Sequence, residues 1–207
     1  NAGDNLNYGR TCNDVMWCLL ERLYIASDSK EMSTFAQEGV NYANKTIEAF
    51  SKFDDKEQLL RAYGTSSLQS WYAANSSEQE ERRKELAQRG LTHSEKALML
   101  SKEVSNPYHT AIASWAAAIC TLFFTDRVES ALEHAEEMWK QGTIVKDNYL
   151  KGVASYVLSF VTNWMALREA DPDKQKKESQ NVIKHGEDAI RYLTLVGQDF
   201  FIAGTCL

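Results

Sequence analysis

Proline is nearly missing from this chain: Pro107 and Pro172 are the only two among 207 residues. A β-rich or loop-rich protein of that length needs more punctuation, so long helices are expected. No CxxC pair occurs, which removes zinc knuckles and thioredoxin-like motifs. Cys12 and Cys18 stand six apart on one expected helix, too far along the axis for a disulfide. Free thiols then point to a reducing, intracellular compartment, cytoplasmic or nuclear. No apolar run of about 18 residues is present to span a bilayer, and no signal peptide is visible. The longest apolar-leaning run, Ala111 to Phe124, is interrupted by Ser114 and Thr121 and reads as a buried helix. An excess of positive charge is missing too. At a formal net charge of −6, neither duplex nucleic acid nor an anionic membrane is an expected partner. The basic clusters Arg82-Arg83-Lys84 and Lys174 to Lys177 are flanked by acids, and Glu78–Arg82 and Glu80–Lys84 have the spacing of helix-surface ion pairs. Walker A, GxGxxG and GxSxG motifs are absent, as is any Glu-x-x-His pair. No enzyme, cofactor or metal site is expected.

What the chain does contain is a repeat. NYANKTIEAF, THSEKALMLS, EHAEEMWKQG and KHGEDAIRYL align on Tyr42, His93, His134 and His185, at spacings of 51, 41 and 51 residues. The next position is small in all four: Ala43, Ser94, Ala135 and Gly186. Three places before the anchor stand Gly39, Gly90, Ala131 and Val182, and four places after it Thr46, Ala97, Met138 and Ala189. Those offsets mark one stripe of an α-helix, small enough for another helix to approach closely. Upstream of each anchor lies a helix with one tryptophan: Trp17, Trp71, Trp115 and Trp164. The unit is therefore a Trp-bearing helix followed by a small-striped helix. First helices are expected near Asp4–Ala26, Lys56–Ala74, Pro107–Thr125 and Asn148–Glu169. Their partners are expected near Glu31–Lys52, Ser77–Val104, Arg127–Gln141 and Asp173–Val196. Asn106-Pro107 and Asp171-Pro172 are helix starts, Thr125-Asp126 offers caps, and Gly142 is placed to end the third pair. The four units, about 4–52, 56–104, 107–142 and 148–196, make one domain over 1–207. Residues 198–207 would begin a ninth helix. Both ends read as cuts, so a piece of a longer protein is expected. A following repeat would cover the apolar end at Phe200, Phe201 and Ile202 in the whole protein, and in isolation that end would be exposed and could pair two copies.

On these residues, with Trp115, Ala131 and Gly142 in the best-matching unit, the chain resembles the tetratricopeptide repeat family. The departures are the longer spacing, Ala118-Ile119 in place of Leu-Gly, no closing Pro, and a small residue where the family has a second-helix aromatic. The resemblance implies a right-handed, all-α solenoid of four antiparallel pairs whose first helices line a concave groove. It implies a scaffold that binds a protein or peptide partner. The alternative is a sensor or regulatory arm of a larger signalling or transcription-regulating protein. The family's chaperone-tail clamp is not matched: the corresponding positions are Cys18 and Arg22, Tyr72 and Ser76, Ala116 and Cys120, Met165 and Glu169, and only Arg22 is basic. Candidate groove residues are Arg22, Gln69, Tyr72 and Asn163. The His93, His134 and His185 column reads as structural, because stacked helices put equivalent residues on the order of 10 Å apart, whereas one metal ion needs ligands about 2 Å away. The Trp column reads as core.

Overall fold

In the computed structural model, residues 2–26, 28–199, 201 and 205 are described, the first two by backbone alone. Eight α-helices follow one another: α1 (Ala2–Leu23), α2 (Ser29–Ser51), α3 (Lys56–Asn75), α4 (Glu80–Ser101), α5 (Pro107–Phe124), α6 (Val128–Ile144), α7 (Asn148–Arg168) and α8 (Pro172–Thr194). No strand occurs among the described residues. Local chemistry explains most of the starts. The side chain of Asn106 accepts from the amides of Tyr108 and His109 ahead of Pro107, and Asp171 accepts from those of Asp173 and Lys174 around Pro172. Asp28, Asp55 and Asp147 cap α2, α3 and α7 in the same way. At α6 the Thr125 hydroxyl accepts from the amide of Arg127, one turn ahead of the helix body.

Consecutive helices pack antiparallel. Each odd helix also packs on the next odd helix, whereas the backbones of α2, α4, α6 and α8 stay apart and only side chains reach between them, Arg82 and Arg89 of α4 to α2 and Trp139 of α6 to Tyr192 of α8. The odd helices therefore form the inner layer of a curved, solenoid-like array, and the even helices stand apart on the outside. α5 sits at its centre, against α3, α4, α6 and α7, which is why every residue from Ala111 to Leu122 is buried.

The small stripe makes this packing close. Gly39, Gly90 and Ala131 are buried, as are Ala43, Ser94 and Ala135 and then Thr46, Ala97 and Met138. At the α3–α4–α5 crossing, the Ser67 hydroxyl donates to the Gly90 carbonyl at 2.7 Å and lies 3.1 Å from Cys120 Sγ. Ala135 is fully buried, so Ala135→Leu is expected to overpack the seam and lower stability by about 1–3 kcal/mol, read as a shift in the thermal midpoint. The stripe loosens in the last pair, where Val182 and Gly186 are only half-buried. The helix packed against α8 is α7, and the nearest atom to a β-carbon placed on Gly186 would be the Thr205 methyl at 3.4 Å.

Several boundaries differ from the sequence expectation by two or three residues, two of them with a visible local cause. α4 begins at Glu80 rather than Ser77, because Gln79 makes no side-chain cap and Ser77 bonds locally to the Gln79 carbonyl. α6 runs past Gly142 to Ile144, and the left-handed residue that ends it is Lys146, with φ +56°. The unequal repeat spacing has its origin in α6. From first residue to anchor, α2, α4 and α8 each run thirteen residues, and α6 runs six, from Val128 to His134. The charged run 78–85 is exposed except for half-buried Arg82, which pairs with Glu85 and donates to Gln37 at 3.1 Å, while Lys84 pairs with Glu80.

After α8 the chain turns at Gly197, φ +70°, with the amide of Gln198 bonded to the Leu193 carbonyl. This left-handed position is open to glycine without strain. Asp199, Phe201 and Thr205 are helical, as expected of a ninth helix, and the Thr205 hydroxyl donates to the Phe201 carbonyl. Phe200 and Ile202 lie outside the described residues.

Candidate binding sites on the inner and outer faces

The inner face is not an open polar groove. An aromatic band crosses it diagonally, from Tyr24 just past α1 and Tyr72 near the end of α3, through Trp115 in the middle of α5, to Tyr149 and Tyr156 on α7. Phe201 sits in this band and is only 2% exposed. Its ring centroid lies 4.7 Å from Tyr24, 5.2 Å from Tyr156, 6.2 Å from Trp115 and 6.4 Å from Tyr149, all inclined or edge-on. Such geometries suit the ring quadrupole. The expected exposed terminus is thus, at Phe201, packed inside the array.

The helices of the first and fourth pairs do not touch, yet their side chains meet across the band: Tyr149 Oη donates to Glu21 Oε1 at 3.3 Å. Burial raises the pKa of Glu21, and the bond from Tyr149 partly offsets this. Tyr24, Tyr72 and Tyr149 are all pushed up, chiefly by desolvation, and stay protonated. The band therefore offers ring faces, neutral hydroxyls and the Glu21 carboxylate.

The four candidate groove residues are not brought together. Tyr72 belongs to the band, 6.1 Å from Tyr24. Arg22 is exposed, with its guanidinium 4.1 Å from the Phe35 ring on α2. Gln69 is fully buried between α1 and α2, donating to the Met16 carbonyl at 3.1 Å beside Gly39. Asn163 is exposed. The band residues Tyr24, Tyr149 and Tyr156 escaped the sequence reading, although all lie on or beside first helices.

The tryptophans do not form one column. Trp71, Phe123 and Trp164 make a row near the C-terminal ends of α3, α5 and α7, with centroid distances of 5.3 and 6.2 Å. Trp115 lies two turns earlier and belongs to the Phe201 seat. Trp17 is half-buried against the main core.

The anchor column occupies the outer layer. Tyr42 is half-buried under Lys45. His93 packs edge-on to Tyr63 at 5.1 Å, and its Nδ1 shares a 2.8 Å hydrogen bond with the Ser66 hydroxyl. His134 and His185 each line a cleft described below. Among the described residues, no three His, Cys, Asp or Glu side chains cluster as metal ligands.

Burial, then the charges of Arg89 and Lys96, brings the pKa of His93 down to about 3. Burial lowers His109, His134 and His185 as well. A histidine that stays neutral when folded but protonates near pH 6.5 when unfolded binds fewer protons in the folded state. Stability then falls as pH drops from about 6.5 toward 3. The parent is expected to lose about 1–2 kcal/mol through His93 between pH 7 and pH 5, and His93→Gln should reduce that loss. Urea titrations at the two pH values measure it, and identical slopes for both proteins would exclude the buried neutral imidazole.

Among the described residues, no helix is long and apolar enough to cross a membrane. No protein-family model matches this sequence, and no curated protein matches it either.

Proposed function

We propose that this chain is an interaction scaffold of the tetratricopeptide-like kind, and that its inner face grips a helical protein segment by an aromatic anchor. One observation carries the reading: the Phe201 seat, in which Tyr24 just past α1, Trp115 of α5 and Tyr149 and Tyr156 of α7 together supply rings for a phenylalanine on a helical segment. Helix-in-groove recognition uses such anchors, and rigid aromatic pockets supply most of the affinity. The segment after Gly197 then acts as an internal occupant that an incoming partner displaces. Glu21, at the edge of the band, favours a partner with a basic residue near its anchor.

The test is affinity capture with the parent, Tyr156→Glu and Phe201→Ala, followed by calorimetry on whatever is retained. The expected partner binds the parent in the low micromolar range, roughly −8 kcal/mol. Tyr156→Glu should weaken it at least tenfold, by placing a charge in the seat. Phe201→Ala should tighten it, because the seat is vacated. A partner that binds Tyr156→Glu as well as the parent would refute the inner-face reading.

A further inference from the structure

Because the backbones of the outer helices stand apart, furrows run between them, and the furrow between α4 and α6 holds a cleft of about 560 Å³. Leu98 of α4, Pro107, Thr110 and Ser114 of α5, and His134 and Glu137 of α6 line it. A smaller hollow of about 120 Å³ also has Leu98 and His134 in its wall, with Leu91 and Ala117, so the furrow continues past the imidazole. The next furrow, between α6 and α8, holds a cleft of about 240 Å³ with Ser155, Trp139 and His185 in its wall.

The repeat itself shows what these clefts accept. Counted from the capping residues Asp55, Asn106 and Asp147, the eighth residue is Tyr63 in α3, Ser114 in α5 and Ser155 in α7. Each lies beside the anchor histidine of its partner helix. In the second pair that place is filled, since the Tyr63 ring stands edge-on to His93 with centroids 5.1 Å apart. In the third and fourth pairs the ring is replaced by serine, and there the clefts open. Ser114 is 0% exposed and Ser155 1%. Neither hydroxyl has a hydrogen-bond partner among the described residues. A buried hydroxyl without a partner is costly, and one polar group entering the cleft would satisfy it.

We infer that the α4–α6 cleft is a second binding site, which takes a tyrosine side chain presented by a partner protein segment. The ring supplies the contact with His134 that Tyr63 makes with His93. The phenolic hydroxyl pairs with Ser114 at the floor, which a phenylalanine would leave unpaired. A peptide source is favoured over a free phenol by the size of the cleft, which exceeds one ring and continues past His134 with room for flanking residues. The charged groups Lys102 and Glu137 at its rim suit a main chain and its neighbours. The site is independent of the Phe201 seat, so Phe201→Ala should leave it unchanged.

The experiment is a titration of the full chain with N-acetyl-L-tyrosinamide, followed by amide NMR shifts, beside N-acetyl-L-phenylalaninamide and p-cresol. Saturable shifts are expected in α5 around Ser114 and in α6 around His134, with a dissociation constant of roughly a millimolar for a ligand of this size. The phenylalanine analogue should bind about fivefold more weakly, the value of one net hydrogen bond. p-Cresol should bind more weakly than the tyrosine amide. Ser114→Ala keeps the space and should abolish the tyrosine–phenylalanine difference. Ser114→Tyr should fill the cleft and remove binding of both. Equal affinities for the two amides would overturn the hydroxyl assignment, and p-cresol binding as tightly as the tyrosine amide would overturn the peptide source. Absence of saturable shifts at α5 and α6 would overturn the site.

Discussion

Phe201→Ala is expected to lower stability by about 3 kcal/mol, and to do so mainly by releasing the segment that follows Gly197. The ring is 2% exposed and touches side chains from four places along the chain. Within a helix interior, such a truncation leaves a cavity whose walls cannot close. Here the chain has an alternative: the segment can leave the inner face altogether, so the loss cannot exceed the free energy with which it docks. Amide exchange at Thr205 should then accelerate along with a drop in the denaturation midpoint, and Trp115 fluorescence should shift as its neighbour departs. Parent-like protection at Thr205 together with a parent-like midpoint would show that Phe201 is not an anchor.

Gly142→Val should destabilise the array by about 3 kcal/mol, the upper part of the range for overpacking. A β-carbon at Gly142 would meet Leu150 Cβ at 3.1 Å, the Lys151 nitrogen at 3.2 Å and the Leu150 carbonyl carbon at 3.3 Å. Two of those atoms are main chain in the first turn of α7, which the Asp147 carboxylate holds through the Leu150 amide at 3.0 Å. Side chains can rotate away from a methyl; a capped helix start cannot. Alanine alone should be milder, because its gain in helix propensity, about 1 kcal/mol, offsets part of the clash. For a chain of this size the valine variant corresponds to a fall of about 6–12 °C in thermal midpoint. A midpoint within the error of the parent would mean that the α6–α7 turn yields freely.

Helix existence, pairing and the small stripe were all legible, because each is written locally. Asn106-Pro107 and Asp171-Pro172 announce starts, and the offsets around Tyr42, His93, His134 and His185 repeat the helical period. Alignment by residue identity misled where identity and position part company. Trp115 looks like Trp71 and Trp164, but counting from the caps places Phe123, seventeen residues after Asn106, level with Trp164, seventeen after Asp147. The same count pairs Tyr63 with Ser114 and Ser155, so the outer clefts were within reach of the sequence. Gln69 as a groove residue was not resolvable that way, since a polar side chain on an inner helix can face solvent or a neighbouring helix, and here it meets Gly39 and the Met16 carbonyl. The Phe201 seat was out of reach for a different reason. It depends on how far the array curves, a sum over every helix crossing, and no short stretch of sequence records that sum.

The bond from Tyr149 to Glu21 joins positions 128 residues apart, whereas the helix–helix packing elsewhere is between near neighbours in sequence. A linear array normally frays from either end, each terminal pair detaching without consulting the other. Here the first and last pairs share one cluster, so the departure of either strips contacts from both. Local helix pairs should form early, and the long loop that brings α1 to α7 should close last, since chain entropy opposes it until the intervening pairs are in place. Loosening any middle pair would then widen the distance between Tyr24 and Tyr149 and empty the seat before the damaged pair itself unfolds.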